Sequence, residues 1–358
     1  MSLFIDISSS GVKGGIGRYV REIIKESPSK VTFISRKPIQ DDIKNFLDKS
    51  QRLISFDNIS RPDWELFKLP TLLKQEESSM SAFWGPDWTL PRFNFQCPVF
   101  LTVHDPVPWL FPKDLSLKAR FWFRFRTPES VSISDLVFSD SKWSCKELEK
   151  IFPQKNFLTI YPISSVKKTL VSSRELSTKK QKKFSPKLLY VGAISPRKRL
   201  KVLLDAFLIL KKRGYSMRWI GYKGKGASAI LEKAKDLGVE WLENCPENIL
   251  KKSMEDSDCL IYPSKIEGFG LPIIEGILSG IPVCALDTEV SREVGGSAIE
   301  YFSENAESLI VSVEKSIKSY HDSNSRFLNM KDSENQLSKL SEESIEKAFS
   351  VISKRVIL

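Results

Sequence analysis

The stretch Cys259–Asp287, CLIYPSKIEGFGLPIIEGILSGIPVCALD, decides the fold. CLIYPS is a short apolar run, the pattern of a strand buried on both faces. LPIIEGILSG carries a proline at its start, where the first helical N–H groups have no partner to lose, and runs to a glycine. IPVCALD is apolar again. Strand, helix and strand in this order build a parallel pair, because parallel strands need a crossover between them. KIEGFG lies between the first strand and the helix. Gly268 and Gly270 let backbone approach a ligand closely, and the helix start presents N–H groups and partial positive charge to an anion. This reading puts Glu267 in the loop and Glu275 in the first helical turn, two carboxylates flanking a pocket for a phosphorylated, hydroxyl-rich ligand. From these residues alone, a Glu275 that merely favours its helix and a solvated Glu267 stay open.

The same alternation runs outward in both directions. LFIDIS (3–8) reads as a first buried strand, GVKGGIGR as a Gly-rich loop with Gly14, Gly15 and Gly17 at a helix start, and GRYVREIIKES as that helix. VTFIS (31–35), PVFLTVHDPVP (98–108), DLVFSDSKWSCKELEKIF and FLTIYP (157–162) continue the pattern. KARFWFRFRTPESVSIS reads as a helix. KLLYVGAISPRKRLKVLLDAF, MRWIGYKG and GASAILEKAKDLG restart it, and the tail from ENQLSKL onward is helical in pattern. Alternation of this kind makes an α/β fold with parallel sheets covered by helices.

The expected organisation is an N-terminal Rossmann-like domain over 1–165 and a polar, Lys- and Ser-rich linker over 166–186. A C-terminal Rossmann-like domain over 187–340 follows, and then a helix over 341–358 that packs back on the first domain. Two doubly wound domains facing a central cleft would bind ligand beyond the carboxyl ends of their strands.

Composition narrows the function. At 358 residues the chain is long for one core. Lys and Arg number 55 against 44 Asp and Glu, a net +11, which suits an anionic partner: nucleotide, nucleic acid or anionic membrane. Five scattered cysteines without a CxxC argue against a disulfide framework or zinc site and for a reducing cytoplasm. The N-terminus lacks the pattern of a signal peptide, and no apolar run approaches about 18 residues. KARFWFRFR (118–126) interleaves basic and aromatic residues, as a helix resting on an anionic membrane would, and as an ordinary helix packed on a sheet also would.

The ordered blocks resemble retaining glycosyltransferases of family 4, the glycosyl transferases group 1, with the GT-B fold and with bacterial mannosyltransferase-like members in particular. EGFGLPIIE resembles the E-x7-E motif of that family. GVKGGIGRYVREI, FWGPDWTLP, LTVHDPVPWLFP, FSDSKWSCKEL, LLYVGAISPRKRLKVLLDAF and ALDTEVSREVGGSAIEYF resemble its other blocks in the same order, over nearly the whole chain.

The resemblance implies roles. Glu275 would bind ribose hydroxyls and Glu267 hydroxyls of the donor sugar. Backbone around Phe269, Gly270 and Leu271 would hold sugar or diphosphate. Arg197 and Lys198 would neutralise the leaving diphosphate, the alternative for both being a solvated turn. Gly14, Gly15 and Gly17 would lie near the diphosphate or the acceptor. His104 would stand at the donor-sugar edge, a core or turn histidine being the alternative, with Asp105 orienting it or capping a helix. Many relatives carry arginine directly after the glycine aligned with Gly192, where this chain has Ala193.

The implied reaction moves a hexose, mannose favoured, from a nucleotide-diphosphate sugar, a GDP-sugar favoured, to a glycan or lipid-linked saccharide in polysaccharide biosynthesis. Anomeric configuration is retained and neither metal nor separate cofactor is used. The expected place is the cytoplasm, with a peripheral position at the inner face of the membrane left open. Two other readings stay open here: a GT-B-type sugar-nucleotide epimerase, and a non-catalytic basic protein that binds membrane or nucleic acid.

Overall fold

The structure, a computed structural model, describes residues 2–12, 14–164, 185–243 and 245–356. The expected 166–186 linker lies outside them apart from its last two residues. The chain divides into two compact units, Met1–Ser165 joined by Ser341–Leu358, and Val166–Leu340.

Among the described residues the first unit holds seven strands, all parallel: β1 (Ser2–Asp6), β2 (Val31–Ser35), β3 (Arg52–Ser55), β4 (Met80–Gly85), β5 (Val99–Thr102), β6 (Leu136–Ser139) and β7 (Phe157–Thr159). Their spatial order is β3-β2-β1-β4-β5-β6-β7. Ile5 stands between Phe33 and Trp84, so the middle of the sheet is apolar on three neighbouring strands. One face is covered by Tyr19, Val20, Ile23 and Ile24 of the helix Gly15–Glu26. The other packs against Trp64, Leu69, Leu73 and Leu148.

The second unit repeats the architecture with β8 (Lys187–Val191), β9 (Ser216–Ile220), β10 (Glu240–Leu242), β11 (Cys259–Tyr262), β12 (Val283–Leu286) and β13 (Glu300–Phe302). These are parallel in the order β10-β9-β8-β11-β12-β13. The helix Leu200–Lys212 buries Leu203, Leu204, Phe207 and Leu210 against Trp219, Ile261 and Cys284.

In each unit the strand order turns back at one place, between β1 and β4 and between β8 and β11. Loops leaving adjacent strands diverge there to opposite faces and open a crevice at the carboxyl edge.

The tail is helical, as its pattern suggests, and it breaks next to the expected boundary at 341. It forms two helices, Ser323–Ser341 and Ile345–Val356. Backbone bonds to the first unit flank the break: Tyr161 donates to the Glu343 carbonyl at 2.6 Å and Ile345 to the Ile163 carbonyl at 3.1 Å. Beyond it Ile345, Ala348, Phe349 and Ile352 recur at helical spacing and are buried. The Phe349 ring meets Trp84 edge-on at 5.6 Å. The last helix therefore completes the core of the first unit.

Candidate functional site

The crevice of the second unit is built by two loops. The loop after β8 rises through Gly192 and Ala193 into a single tight turn, Pro196–Lys198, closed by Arg199 in the left-handed region at φ 52. The loop after β11 carries Ser264 to Gly270. The Lys265 amide donates to the Arg197 carbonyl at 3.2 Å, and Arg197 Nη1 donates to the Ile266 carbonyl at 2.8 Å. Glu304 ties both loops from outside, pairing with Arg199 at 2.6 Å and Lys265 at 3.0 Å.

Three of the residues singled out in sequence meet here. Glu267 Oε1 accepts from Arg197 Nη1 at 2.6 Å and from Lys198 Nζ. The Lys198 ammonium also lies 5.6 Å from the centre of the Tyr262 ring. Lys198 is only 5% exposed, so the solvated-turn reading does not hold for it. A lysine this buried needs a partner, because burying an unpaired charge costs several kcal/mol. Burial alone would raise the Glu267 carboxyl; the Arg197 and Lys198 cations outweigh it and hold the group below the usual carboxylate range. The pair's contribution to stability is thus present above ordinary carboxylate values and fades as pH falls through the lowered one. Tyr262 and Tyr190 sit beside the same carboxylate, and burial first, then its charge, pushes both phenols well up.

Phe269 is buried, and Gly270 caps the helix Leu271–Leu278 at φ 104 with Leu271 as its first residue. A side chain at Gly270 would be strained at this φ. Glu275 is a correction. It is the fifth residue of that helix, half-buried on the second turn, and no acid lies in the first. The proline at position two lets the helix begin one turn earlier than the carboxylate.

In the first unit Gly14 caps the helix Gly15–Glu26 at φ 100, so Gly15 and Gly17 are helical residues rather than loop. A Cβ on Gly17 would stand 1.8 Å from the Val12 carbonyl oxygen, which explains that glycine by backbone packing. Ser9, just before, donates to Asp87 Oδ2, and Arg61 Nη2 donates to the Asp87 carbonyl at 2.6 Å. Arg61 Nε also donates to Glu65 at 2.7 Å.

His104 is 3% exposed and fully engaged. Nδ1 faces both Asp140 oxygens at 3.1 Å, and Nε2 faces the Pro86 carbonyl at 3.1 Å. A carboxylate and a carbonyl both accept, so this pair of partners suits a ring that donates from both nitrogens, the protonated form. Burial favours the neutral form; the Asp140 charge outweighs it, Asp87 and Asp105 add to it, and the pKa lies above the ordinary 6.5. Asp140, not Asp105, orients the ring; Asp105 accepts from the Val107 amide at 2.8 Å.

Asp140→Asn is expected to lower the His104 pKa and to destabilise the first unit by about 3 kcal/mol, the scale of breaking a buried ion pair. A raised folded pKa stabilises below the unfolded value, near 6.5, and that gain is lost as pH rises through the folded one. The stability gap between wild type and variant should therefore be largest below about pH 6.5. Nitrogen-15 NMR of the histidines, with His321→Gln for assignment, reads the pKa directly; an unchanged titration in Asp140→Asn would contradict the pairing.

Asp140, Asp87, Arg61 and Tyr262 were not singled out by the sequence as site residues. Asp140 and Tyr262 stand at or just beyond the carboxyl end of an apolar strand, a position that marks candidates in this topology.

Two parallel doubly wound units of this kind are the architecture of the GT-B fold. Residues 173–344 match the family described as Glycosyl transferases group 1. Over 131 residues it is 32% identical to serotype-specific mannosyltransferase WbdA of Escherichia coli, covering 35% of this chain and 16% of that protein. Over 250 residues it is 29% identical to O-antigen chain mannosyltransferase RfbU of Salmonella typhimurium, covering 67% and 66%. The chain thus spans less than two thirds of these curated relatives. Among solved structures, HepE of Anabaena in complex with UDP and glucose superposes with a TM-score of 0.66 over 99% of both chains at 16% identity.

Proposed function

We propose that this chain is a retaining glycosyltransferase that moves a hexose, mannose in the first place, from a nucleotide-diphosphate sugar to a glycan or lipid-linked saccharide in polysaccharide biosynthesis. The observation that carries this reading is the Arg197–Lys198–Glu267 group at the switch point of the second unit, with Lys198 buried and its neighbours half-buried. Arg197 and Lys198 stand side by side on one carboxylate in a poorly solvated setting. Cations so placed stabilise a diphosphate that gains charge as it leaves, and a preorganised cation acts most strongly where water is excluded. The mannosyltransferases WbdA and RfbU support mannose, with a GDP-linked sugar as the donor in the first place, and HepE with UDP and glucose supports a nucleotide-sugar donor.

Each residue then has a physical task. Arg197 and Lys198 face the diphosphate, and Glu267, shared with them, accepts from sugar hydroxyls. The N–H groups at Gly270 and Leu271 add the positive end of their helix. Glu275, one turn on, accepts from ribose hydroxyls. A carboxylate held by two cations is a poor nucleophile, so Glu267 does not form a sugar ester. The acceptor hydroxyl attacks on the face the phosphate leaves; its proton passes to the departing phosphate oxygen, and configuration is retained.

A thermal-shift panel of GDP, UDP, ADP, dTDP and CMP on wild type and Glu275→Ala tests the site. One nucleotide at about 100 times its dissociation constant should stabilise wild type by about 2.7 kcal/mol and the variant far less. Equal shifts in both proteins would remove Glu275 from the site.

A further inference from the structure

The helix Leu117–Ile133 of the first unit carries an uncovered stripe. Leu117 is 65% exposed, Phe121 62% and Phe125 69%, at successive intervals of four residues, so they stand in one line on the helix. The two phenyl rings stack on each other, with centroids 6.2 Å apart and planes 5° from parallel. They are therefore presented together rather than tucked onto the sheet. Leu110, 43% exposed in the short turn before, lies in an element that packs against this helix. An uncovered line of large apolar side chains is unusual on a soluble surface and marks something that docks there.

The charges beside the stripe say what docks. Lys118 and Arg124 are exposed, and at 3.6 residues per turn they fall on opposite margins of the line. Lys113 is exposed just before the helix. From Leu117 to Phe125 there is no carboxylate. The next, Glu129, is bound by Arg126 and by Arg92, the latter at 3.2 Å. Rings that sink to the acyl boundary, with cations on long stems reaching back to phosphates at both margins, match the interface of an anionic bilayer. A second copy of the chain fits less well, because a self-complementary contact would bring Lys118 and Arg124 against their own counterparts. The net charge of +11 acts in the same direction at longer range.

We infer that the Leu117–Phe125 face seats the first unit on an anionic membrane surface through Phe121 and Phe125, with Lys118 and Arg124 on lipid phosphates. This does not rest on the transferase reading: vesicle binding reports on the helix whether or not a sugar is moved.

The test uses the full chain, sedimented with phosphatidylcholine vesicles made with and without phosphatidylglycerol. Two surface cations together favour the anionic vesicles by about 30-fold, a preference that shrinks as salt rises. Phe121→Ser/Phe125→Ser should weaken binding by about tenfold or more, with an unchanged unfolding midpoint because both rings are exposed. Lys118→Glu/Arg124→Glu, which keeps the aromatic stripe, should abolish the anionic preference. Three results would overturn the proposal: no binding by wild type, equal binding by wild type and the serine variant, or a wild-type dimer that the serine substitutions dissolve.

Discussion

Lys198→Ala is expected to slow sugar transfer by about 10²–10³-fold, the range for removing one preorganised charge-stabilising donor. The loss should fall mainly on kcat, since the charge that Lys198 meets grows as the glycosidic bond breaks. The fold should survive. Glu267 keeps Arg197, which reaches it at 2.6 Å and also holds the Ile266 carbonyl. With one cation gone, the Glu267 carboxyl rises toward the ordinary range. Steady-state kinetics at saturating donor, alongside a thermal melt, separates the two effects. A kcat within about threefold of wild type would place Lys198 outside the transition-state contacts.

Gly221→Ala is expected to destabilise the second unit by about 3 kcal/mol, from overpacking backbone on backbone. A Cβ there would stand 1.9 Å from the Gly192 carbonyl oxygen, where neither partner is a movable side chain. Gly221 follows β9 and Gly192 follows β8, and the two loops are stitched by Gly192 to Ile220 and Ile194 to Tyr222 hydrogen bonds at 2.9 and 3.0 Å. Pushing them apart shifts the turn that carries Arg197 and Lys198. The variant should lose donor affinity together with stability, whereas Gly214→Ala, where nothing lies within 4 Å of the added carbon, should leave affinity unchanged. A chemical melt of both, with donor titration, decides. Gly221→Ala as stable as wild type would contradict the close approach.

Much of the fold is legible because its central strands are short, apolar runs bounded by turn residues. LFID, VTFIS, KLLYV and CLIY all announce themselves, and all lie in the interior of a sheet. The strands absent from the sequence reading have local reasons. β3 sits on the sheet edge with its ends exposed, so RLIS lacks an apolar signature. β10 and β13 are three residues long and at opposite edges. β4 is central and buried, but MSAFWG emerges from a polar stretch and ends in a family block whose tryptophan and proline draw attention instead. The tail's break is set by backbone bonds to the first unit, not by anything local in ENQLSKLSEESIEK.

The site divides in the same way. Loop chemistry is local: EGFG before a Pro-started helix marks where that helix begins and which glycine caps it. The pairing of Glu267 with Arg197 and Lys198 spans 70 and 69 positions and exists only because β8 and β11 are neighbours at the switch point. Asp140 is 36 residues from His104 and meets it because β5 and β6 are adjacent. Charge partners of this kind follow from strand order, which no window of sequence contains. Glu275 shows the limit at finer scale: its spacing from Glu267 was visible, but where the helix starts, and so which turn carries it, was not.

The most direct test of the central claim is proton NMR of the anomeric region while the full chain is incubated with GDP-mannose and a saccharide acceptor. The account predicts GDP release matched by a new glycosidic signal in the α configuration of the donor, absent with Lys198→Ala. A product with inverted configuration would contradict retention, and a sugar that changes stereochemistry while still bound to its nucleotide would replace transfer with epimerisation.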